Sequence, residues 1–266
     1  FTRANSLRVL SKTIYSETEL ILHEELDIDS SAMVSTTITQ KRFSDFVNSG
    51  RLDAEYYQPK YDHITKKISQ YPLGQDNIRN LFILRDRNTV PDNDIQYKYI
   101  ELSNIGANGE ITGCTYEYGA NLPSRARRIV HTGDIIVSSI EGSLQSCAIV
   151  TNEYDGALCS TGFYVLTPRI INSETSLVLF KSAMIQALLK RACTGTILTA
   201  INKEEFVNIS LPLIDNDTQN SIAVIIKRST SLRQESKRLL NLAKTAVETA
   251  IEQGENAAMN FYSIFN

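Results

Sequence analysis

The chain has 266 residues, of which 42% are hydrophobic and 21% are charged, and this composition excludes a largely disordered protein. The formal net charge of −3 argues against a non-specific nucleic-acid coat, which would need an excess of Lys and Arg. Any contact with a polyanion must therefore come from a local basic patch.

Residues 1–40 are predicted to form an amphipathic helix followed by a linker. Between residues 6 and 26, apolar side chains recur with the helical period. This apolar stripe comprises Leu7, Leu10, Ile14, Ile21, Leu22 and Leu26. Residues 27–40 are rich in Ser, Thr and Asp, which is typical of a linker.

Residues 41–218 show a mixed pattern of short strands and helices. Apolar, β-branched runs at 135–137 and 163–166 are bounded by turn residues and predict buried strands. Helical patterns are expected at 55–70 and 176–192. Because a regular strand–helix alternation is missing, we predict an α+β domain flanked by long helices.

Residues 219–266 are predicted to contain one long helix. Apolar and small residues follow one another by alternating steps of four and three, which is the seam of a heptad repeat. The seam positions are Ile225, Ser229, Leu232, Ser236, Leu239, Ala243, Ala246 and Ala250. A helix over 219–253 would be about 50 Å long at roughly 1.5 Å per residue. We expect a coiled-coil spacer, with an ordinary packed helix as the alternative.

This spacer needs a partner helix. We expect its interface to combine two sets of seam residues, Leu232, Leu239, Ala243, Ala246 and Ala250 from the C-terminal helix and Leu7, Ile14 and Ile21 from the N-terminal helix. A second protomer or another half-subunit could supply a further helix. Small Ser and Ala residues at the seam would permit the helices to approach closely.

Several separate motifs resemble those of a type I restriction-modification specificity subunit, in the order in which that family carries them. They are RLDAEYYQPKY (51–61), PSRARRIVHTGDIIVSSIEGSL (123–144), LCSTGFYVL (158–166) and TGTILTAINKEEFVNISLPL (194–213). The segment YSETELILHEEL (15–26) is similar to the region that follows a first recognition domain. The resemblance implies either the second half of a two-domain subunit or a natural half-length subunit, and the start at Phe1 suggests a longer chain.

The resemblance implies a division of labour. In this family each target-recognition domain reads one part of a split site in double-stranded DNA, and paired long helices act as a spacer. Methyltransferase subunits that modify adenine dock onto the specificity subunit, and a motor-nuclease subunit joins for cleavage. The specificity subunit itself binds no S-adenosylmethionine or ATP, so we expect sequence-specific DNA recognition without catalysis, metal or cofactor.

The strongest local basic feature is the group Arg125, Arg127 and Arg128. Guanidinium groups can hold phosphates or bind guanine through two hydrogen bonds, which makes the group a candidate DNA contact. On a regular strand Arg127 and Arg128 would face opposite sides, and Arg125 would share the face of Arg127. The alternative is a solvated strand edge.

Three further sets of residues are candidate DNA contacts. The first is a turn with Ser139, Glu141 and Ser143, in which Glu141 could accept from cytosine or orient an arginine. The second, where a basic helix end meets a Thr-Gly-Thr turn, comprises Lys190, Arg191, Thr194 and Thr196. The third comprises Arg85, Arg87 and Lys98. By contrast, Arg51, Asp53, Glu55, Tyr56 and Tyr57 are expected to anchor the domain to its helices.

No catalytic or nucleotide-binding motif is found in the sequence. Cys114, Cys147, Cys159 and Cys193 lack zinc-ligand spacing, and no apolar run is long enough for a membrane span, so we expect a soluble cytoplasmic protein. Two alternatives remain open. One is an assembly scaffold that does not read DNA, and the other is a cysteine-dependent enzyme that would place Cys159 in a cleft beside a histidine.

Overall fold

The computed structural model describes residues 1–26, 38–194 and 199–254. The chain divides into two compact units. The helical unit comprises Phe1–Leu20 and Val224–Asn266, and the mixed unit comprises Ile21–Ala223. Within the described ranges, no helix combines the length and the apolar character that a membrane span requires.

The secondary structure begins and ends with the two longest helices. The α-helices are α1 (Thr2–Glu25), α2 (Phe43–Ser49), α3 (Pro59–Ser69), α4 (Ile78–Leu81), α5 (Ser173–Lys181), α6 (Ala183–Ala192), α7 (Lys203–Val207) and α8 (Asn216–Gln253). The strands are β1 (Gln75–Asn77), β2 (Phe82–Leu84), β3 (Gln96–Ile100), β4 (Thr115–Tyr118), β5 (Ala126–Ile129), β6 (Ile135–Ser138), β7 (Cys147–Ile149), β8 (Leu158–Ser160), β9 (Phe163–Pro168), β10 (Cys193–Thr194), β11 (Ala200–Ile201) and β12 (Ser210–Pro212).

The mixed unit contains two four-stranded sheets. One has the order β2-β9-β6-β7 with antiparallel neighbours throughout, and the other has the order β4-β3-β8-β5. In the second sheet β3 and β8 run parallel, whereas the two outer pairs are antiparallel. The described residues also contain two short antiparallel pairs, β1-β12 and β10-β11. The predicted α+β class is therefore confirmed.

The core of the mixed unit has two layers. One buried cluster joins Ile100 and Cys159 of the second sheet with Ile136 and Val165 of the first. On the neighbouring residue of β9 the side chain points to the opposite face of the sheet. There Tyr164 stacks on Phe206 of α7, and Phe206 in turn stacks on Phe180 of α5. The first sheet is therefore buried on both faces.

In the helical unit α1 and α8 pack together as an antiparallel pair. Ser11 Oγ donates to the carbonyl oxygen of Ser229 at 2.9 Å, and Ser229 Oγ donates to that of Ser11 at 2.8 Å. One heptad further along, Ser236 Oγ donates to the carbonyl oxygen of Ala4 at 2.7 Å. The α8 residue number rises as the α1 number falls, which fixes the antiparallel direction.

The predicted seam agrees with the burial of these helices, with one exception. Ile14 is buried, and the other predicted residues of the helical unit are half-buried, namely Leu7, Leu232, Leu239, Ala243, Ala246 and Ala250. Ile21 is half-buried within the mixed unit. The inclusion of Leu10 in the stripe was wrong, because this side chain is 43% exposed and the neighbouring Ser11 occupies the buried position.

Several helix ends differ from the sequence-based expectation for local reasons. The helix expected over 55–70 is a 3₁₀ turn followed by α3, which begins at Pro59, a residue suited to the first helical position. The helix expected over 176–192 breaks at Ser182, whose side chain accepts from the Ile185 amide and caps α6. Helix α8 begins three residues earlier than expected, because Asp215 accepts from the first amides of that helix.

Candidate nucleic-acid interface

The three arginines around β5 have different surroundings. Arg125 precedes the strand and is exposed, and its carbonyl oxygen accepts from the Thr161 amide at 2.8 Å. The Nε of Arg127 donates to the carbonyl oxygen of Ser124 at 2.8 Å. The Arg128 guanidinium is partly buried, where it donates to the Phe163 carbonyl oxygen and lies 5.6 Å from the centre of the Tyr164 ring. Arg125 is therefore the most accessible of the three.

A bulge changes the geometry of β5 from that of a regular strand. Ala126 pairs with Ser160 of β8 and Arg128 pairs with Cys159, so Arg127 is the extra residue. A bulge leaves its extra residue unpaired and bends the strand. The regular alternation from which we assigned opposite faces to Arg127 and Arg128 is therefore interrupted.

The turn after β6 is fixed by its own serines and by the loop between β8 and β9. Both the amide and the hydroxyl group of Ser139 donate to the Gly162 carbonyl oxygen at 2.9 Å. The hydroxyl groups of Ser138 and Ser143 lie 2.9 Å apart. We call residues 139–143 the serine turn. Because Thr161 bonds to Arg125, the loop between β8 and β9 connects the serine turn with the start of β5.

The same turn is bonded to β11. The Glu141 carboxylate accepts from the Thr199 hydroxyl group, and the Glu141 amide donates to the Thr199 carbonyl oxygen at 3.1 Å. The Ile201 amide donates to the Ser139 carbonyl oxygen at 2.8 Å. Since Thr194 of β10 pairs with Ala200 of β11, two of the predicted sets lie in directly connected segments. Thr196 lies outside the described residues.

Lys190 and Arg191, at the end of α6, contact the 51–61 motif. Lys190 Nζ lies 3.8 Å from Glu55 Oε1. The Arg191 guanidinium lies 4.5 Å from the centre of the Tyr56 ring and 5.5 Å from that of Tyr61. Lys190 is exposed and Arg191 is half-buried. A DNA role for either residue stays a prediction.

The 51–61 motif holds several parts of the mixed unit together. Arg51 donates to both oxygens of Asp53 and, at 2.9 Å, to the Cys193 carbonyl oxygen of β10. Burial raises the pKa of the Glu55 carboxyl group, but hydrogen bonds from Lys60 and Tyr61 outweigh it, so this pKa lies below its ordinary value. The motif thus joins the start of α3 to the end of α6 within the mixed unit, and its expected role as an anchor of the domain to its helices stays a prediction.

The third predicted set, Arg85, Arg87 and Lys98, is not brought together in the structure. Arg85 Nε lies 3.5 Å from the buried Asp134 carboxylate. Arg87 is exposed and lies two residues before Thr89, whose amide donates to the Arg127 carbonyl oxygen at 2.7 Å. The segment with Arg87 therefore leads to β5. Lys98, in contrast, donates to the Glu153 carbonyl oxygen, near the rings of Tyr116 and Tyr154.

A cleft of about 420 Å³ lies beside the serine turn. Its lining includes Glu141, Gly142 and Ser143 of this turn together with Lys60 and Lys190. Both lysines already pair with Glu55, so much of their charge is balanced within the protein.

The residues required for a cysteine-dependent enzyme do not form a site. Cys159 is fully buried in β8, and burial raises the pKa of its thiol to about 12. A reactive cysteine needs the thiolate and access to a substrate. The side chains of His23, His63 and His131 are exposed, whereas Cys159 lies in the core. The condition that we set for this alternative is not met.

Sequence reasoning missed the residues that connect the predicted sets. Thr161 and Gly162 stand within the LCSTGFYVL motif, but their part in joining β5 to the serine turn depends on strand pairing. Thr199 lies within the 194–213 motif, but no sequence pattern indicated its contact with Glu141, which joins residues 58 positions apart. Lys203 pairs with Asp86 next to Arg87, and its hydrogen bond is the main cause that lowers the pKa of that carboxyl group.

Two of the solved structures that match this chain do so with similar quality. One is the crystal structure of the HsdS subunit from Thermoanaerobacter tengcongensis. The other is a chain from a type I R-M system described for its complex assembly and conformational transition. Each is 24% identical to this chain with a TM-score of 0.52, over 66% of this chain and 46% of the solved one. The likeness is one of fold, and this chain corresponds to about half the length of either subunit.

Comparison with curated protein sequences gives no significant match. A family model of the type I restriction modification DNA specificity domain matches residues 85–242. That range is more than half of the chain. It includes every strand of the two four-stranded sheets except β2, and the first part of α8. The chain therefore belongs to the family of type I restriction-modification DNA specificity domains.

Proposed function

We propose that this chain recognises a DNA sequence as the target-recognition part of a type I specificity subunit and has no catalytic step of its own. The observation that supports this most strongly is the connection of three predicted sets by hydrogen bonds. Arg125 bonds to Thr161, the neighbouring Gly162 bonds to Ser139, and Glu141 bonds to Thr199. A surface built from joined loops can hold its side chains in fixed relative positions, as sequence reading requires.

Within this surface we assign the DNA contacts to the accessible cations. Arg125 and Arg87 are exposed, and neither side chain has a hydrogen bond or ion pair among the described residues. Arg127 uses only its Nε, so the rest of its guanidinium group can bind a phosphate or a guanine edge. Arg128 would instead support the surface from below, because its guanidinium group lies against β9.

We further propose that residues 41–218 form the recognition domain and that α1 and α8 serve as the spacer. Apolar side chains on α8 support a helical partner, since Leu240, Val247 and Ile251 are 36%, 51% and 79% exposed. A second copy or a second half-subunit could pack there, as could an adenine-methyltransferase subunit, through which a motor-nuclease subunit would join. Such an assembly acts on DNA and would be cytoplasmic.

An assembly scaffold that does not read DNA is the second candidate. The observation in its favour is charge, because residues 51–217 carry 16 Lys and Arg against 19 Asp and Glu. Under this alternative the chain would bind the methyltransferase subunit but select no DNA sequence. The two candidates therefore differ in a single measurable outcome.

The test is selection of duplexes from a random pool by the full chain mixed with its methyltransferase subunit at moderate salt. We expect enrichment of a short motif, weakened at least tenfold when Arg125 and Arg127 are both replaced by Ala, since two charge-assisted contacts are lost. Arg169→Ala is the matched control. Arg169 is exposed and follows the opposite end of β9 from Phe163, so its replacement removes one positive charge, as each of the two test substitutions does, without touching the proposed surface.

Two results would count against the proposal. A stable protein complex that enriches no motif would favour the scaffold. Enrichment that is weakened as strongly by Arg169→Ala as by the Arg125 and Arg127 replacements would place the DNA elsewhere on the chain. A palindromic split motif would in addition indicate two copies paired through their long helices.

A further inference from the structure

We propose that Glu141 is a positioning residue, which holds β11 and through it Thr194 against the serine turn, and that it does not itself read a base. This inference rests on the proposed function, because it concerns how the recognition surface is kept in shape. The sequence had suggested that Glu141 accepts from cytosine or orients an arginine. The contacts of its carboxylate point to a different role.

Glu141 and Thr199 are bonded to each other twice. The Glu141 carboxylate Oε2 accepts from the Thr199 hydroxyl group, and the Glu141 amide donates to the Thr199 carbonyl oxygen at 3.1 Å. Hydrogen bonds to an ionised acceptor are stronger than those between neutral groups. An oxygen atom committed in this way is less available to a base that approaches from solvent.

The Glu141–Thr199 pair lies at the start of β11, because Thr199 directly precedes this strand. Strands β10 and β11 share only two residue pairs, Cys193 with Ile201 and Thr194 with Ala200. At the other end of β11, Ile201 bonds through its amide to Ser139, which belongs to the same turn as Glu141, and through its carbonyl oxygen to the Tyr164 hydroxyl group, so exchange of the Ile201 amide reports how firmly β11 is held against this turn. Glu141 therefore supplies the contact that fixes the first residue before the strand.

Fixing β11 also fixes β10. The position of Thr194 depends on its pairing with Ala200, which directly follows Thr199. The other end of β10 is attached at Cys193, whose carbonyl oxygen accepts from Arg51. Loss of the Glu141–Thr199 pair should thus free Thr194 while the body of the mixed unit remains intact, since the pair lies outside both four-stranded sheets.

The experiment compares Glu141→Ala, Thr199→Val and the double variant in the full chain, with Thr199→Ser as the conservative control. DNA affinity and preferred bases are measured by pool selection with the methyltransferase subunit. Hydrogen exchange of the Ile201 amide and the melting temperature are measured without DNA. Double-variant comparison separates residues that act through one another from residues that act independently.

We expect each single variant to lose about tenfold in DNA affinity, the size of one charge-assisted hydrogen bond. The double variant should be no weaker, the preferred bases should be unchanged, and Thr199→Ser should bind as the wild type does. Exchange at Ile201 should become faster in both single variants, without a large drop in melting temperature.

The inference is overturned if Glu141→Ala changes the preferred base at one position while Thr199→Val binds normally, because Glu141 would then read that base. It is equally overturned if the two losses multiply in the double variant or if exchange at Ile201 is unchanged. Faster exchange in a chain that selects no DNA sequence at all would support the positioning role and refute only the proposed function.

Discussion

Arg51 makes three contacts through one guanidinium group, two within the 51–61 motif and one to β10. It binds Asp53 through two parallel hydrogen bonds, donates to the Cys193 carbonyl oxygen of β10, and lies 4.7 Å from the centre of the Tyr56 ring. Lysine could not reproduce this set, because its ammonium group is a single point of charge without the planar fork. Arg51 therefore connects the 51–61 motif to β10, the short strand that carries Thr194.

The ion pair between Arg51 and Asp53 should make part of the stability depend on pH. The hydrogen bond from Arg51 is the main cause that lowers the pKa of the Asp53 carboxyl group, against the opposing effect of burial. Stability from this pair is therefore present above the unfolded pKa of about 4 and is lost as the pH falls through the lower folded value. Because Asp53 is 46% exposed at its side chain, solvent screening limits the gain to at most about 1 kcal/mol.

The corresponding variant is Asp53→Asn, studied by urea unfolding at pH 6 and at pH 3. We expect it to be less stable than the wild type at pH 6 and the difference to become smaller at pH 3. Asp94→Asn, which removes an exposed carboxylate from a turn, is the matched control for a simple change of charge. A difference from the wild type that is the same at both pH values would contradict this account.

At the scale of elements, the antiparallel pair of α1 and α8 is organised around serines. Ser11 and Ser229 are 1% and 0% exposed, and each hydroxyl group donates to the carbonyl oxygen of the other residue. A small polar side chain that bonds to the facing backbone permits a close approach of the two helices. The seam therefore depends on short side chains and on their register, more than on large apolar ones.

Two substitutions at Ser229 test this account of the seam. Ser229→Leu should overpack the interface and cost about 1–3 kcal/mol of the free energy of unfolding. Ser229→Ala should cost less, about 0.5–1.5 kcal/mol, since Ser11 can still donate to the backbone at that position. Thermal or urea unfolding gives both values. Ser231→Leu, exposed on the same helix, should be nearly neutral, and an equal loss there would refute the close-packed seam.

The long helices could be predicted because their signal is local and periodic. The heptad pattern of α8 depends on one segment alone, and its seam positions are buried or half-buried as expected. The sheets could not be derived in this way. The parallel pairing of β3 with β8 joins Tyr99 to Leu158, and no local pattern encodes a partner so far along the chain. The residue pattern indicated an α+β domain and its buried strands at 135–137 and 163–166, but it did not indicate which strands pair.

The candidate site was predictable in its members but not in its connections. Residue types marked Arg125, Glu141 and Thr194 as polar groups suited to DNA. Whether these side chains meet depends on a bulge at Arg127 and on the bond between Glu141 and Thr199. Both features depend on which distant segments pair with each other and in what alignment. The periodicity of a single segment does not encode that pairing.

At the scale of the whole molecule, charge is distributed unevenly. The chain has 27 Lys and Arg against 30 Asp and Glu, yet residues 219–253 carry 6 against 3. A duplex is a dense polyanion, so a recognition unit with more acidic than basic groups must bind it through a few local cations. The free chain should therefore bind DNA weakly, and the partner subunits should contribute further phosphate contacts.

DNA binding by the chain alone should depend steeply on salt concentration, because it comes from contacts between local cations and phosphates. Each neutralised phosphate contributes a slope of about −0.9 in a plot of log affinity against log salt concentration, since condensed counterions are released. Arg125→Ala should reduce the magnitude of the slope by about one unit, whereas the matched control Arg169→Ala should leave it unchanged. Fluorescence anisotropy with a labelled duplex between about 50 and 200 mM salt measures both. If the slope were flat for the wild type, or the same in both variants, Arg125 would not contact a phosphate, and recognition would have to depend on uncharged groups of the serine turn.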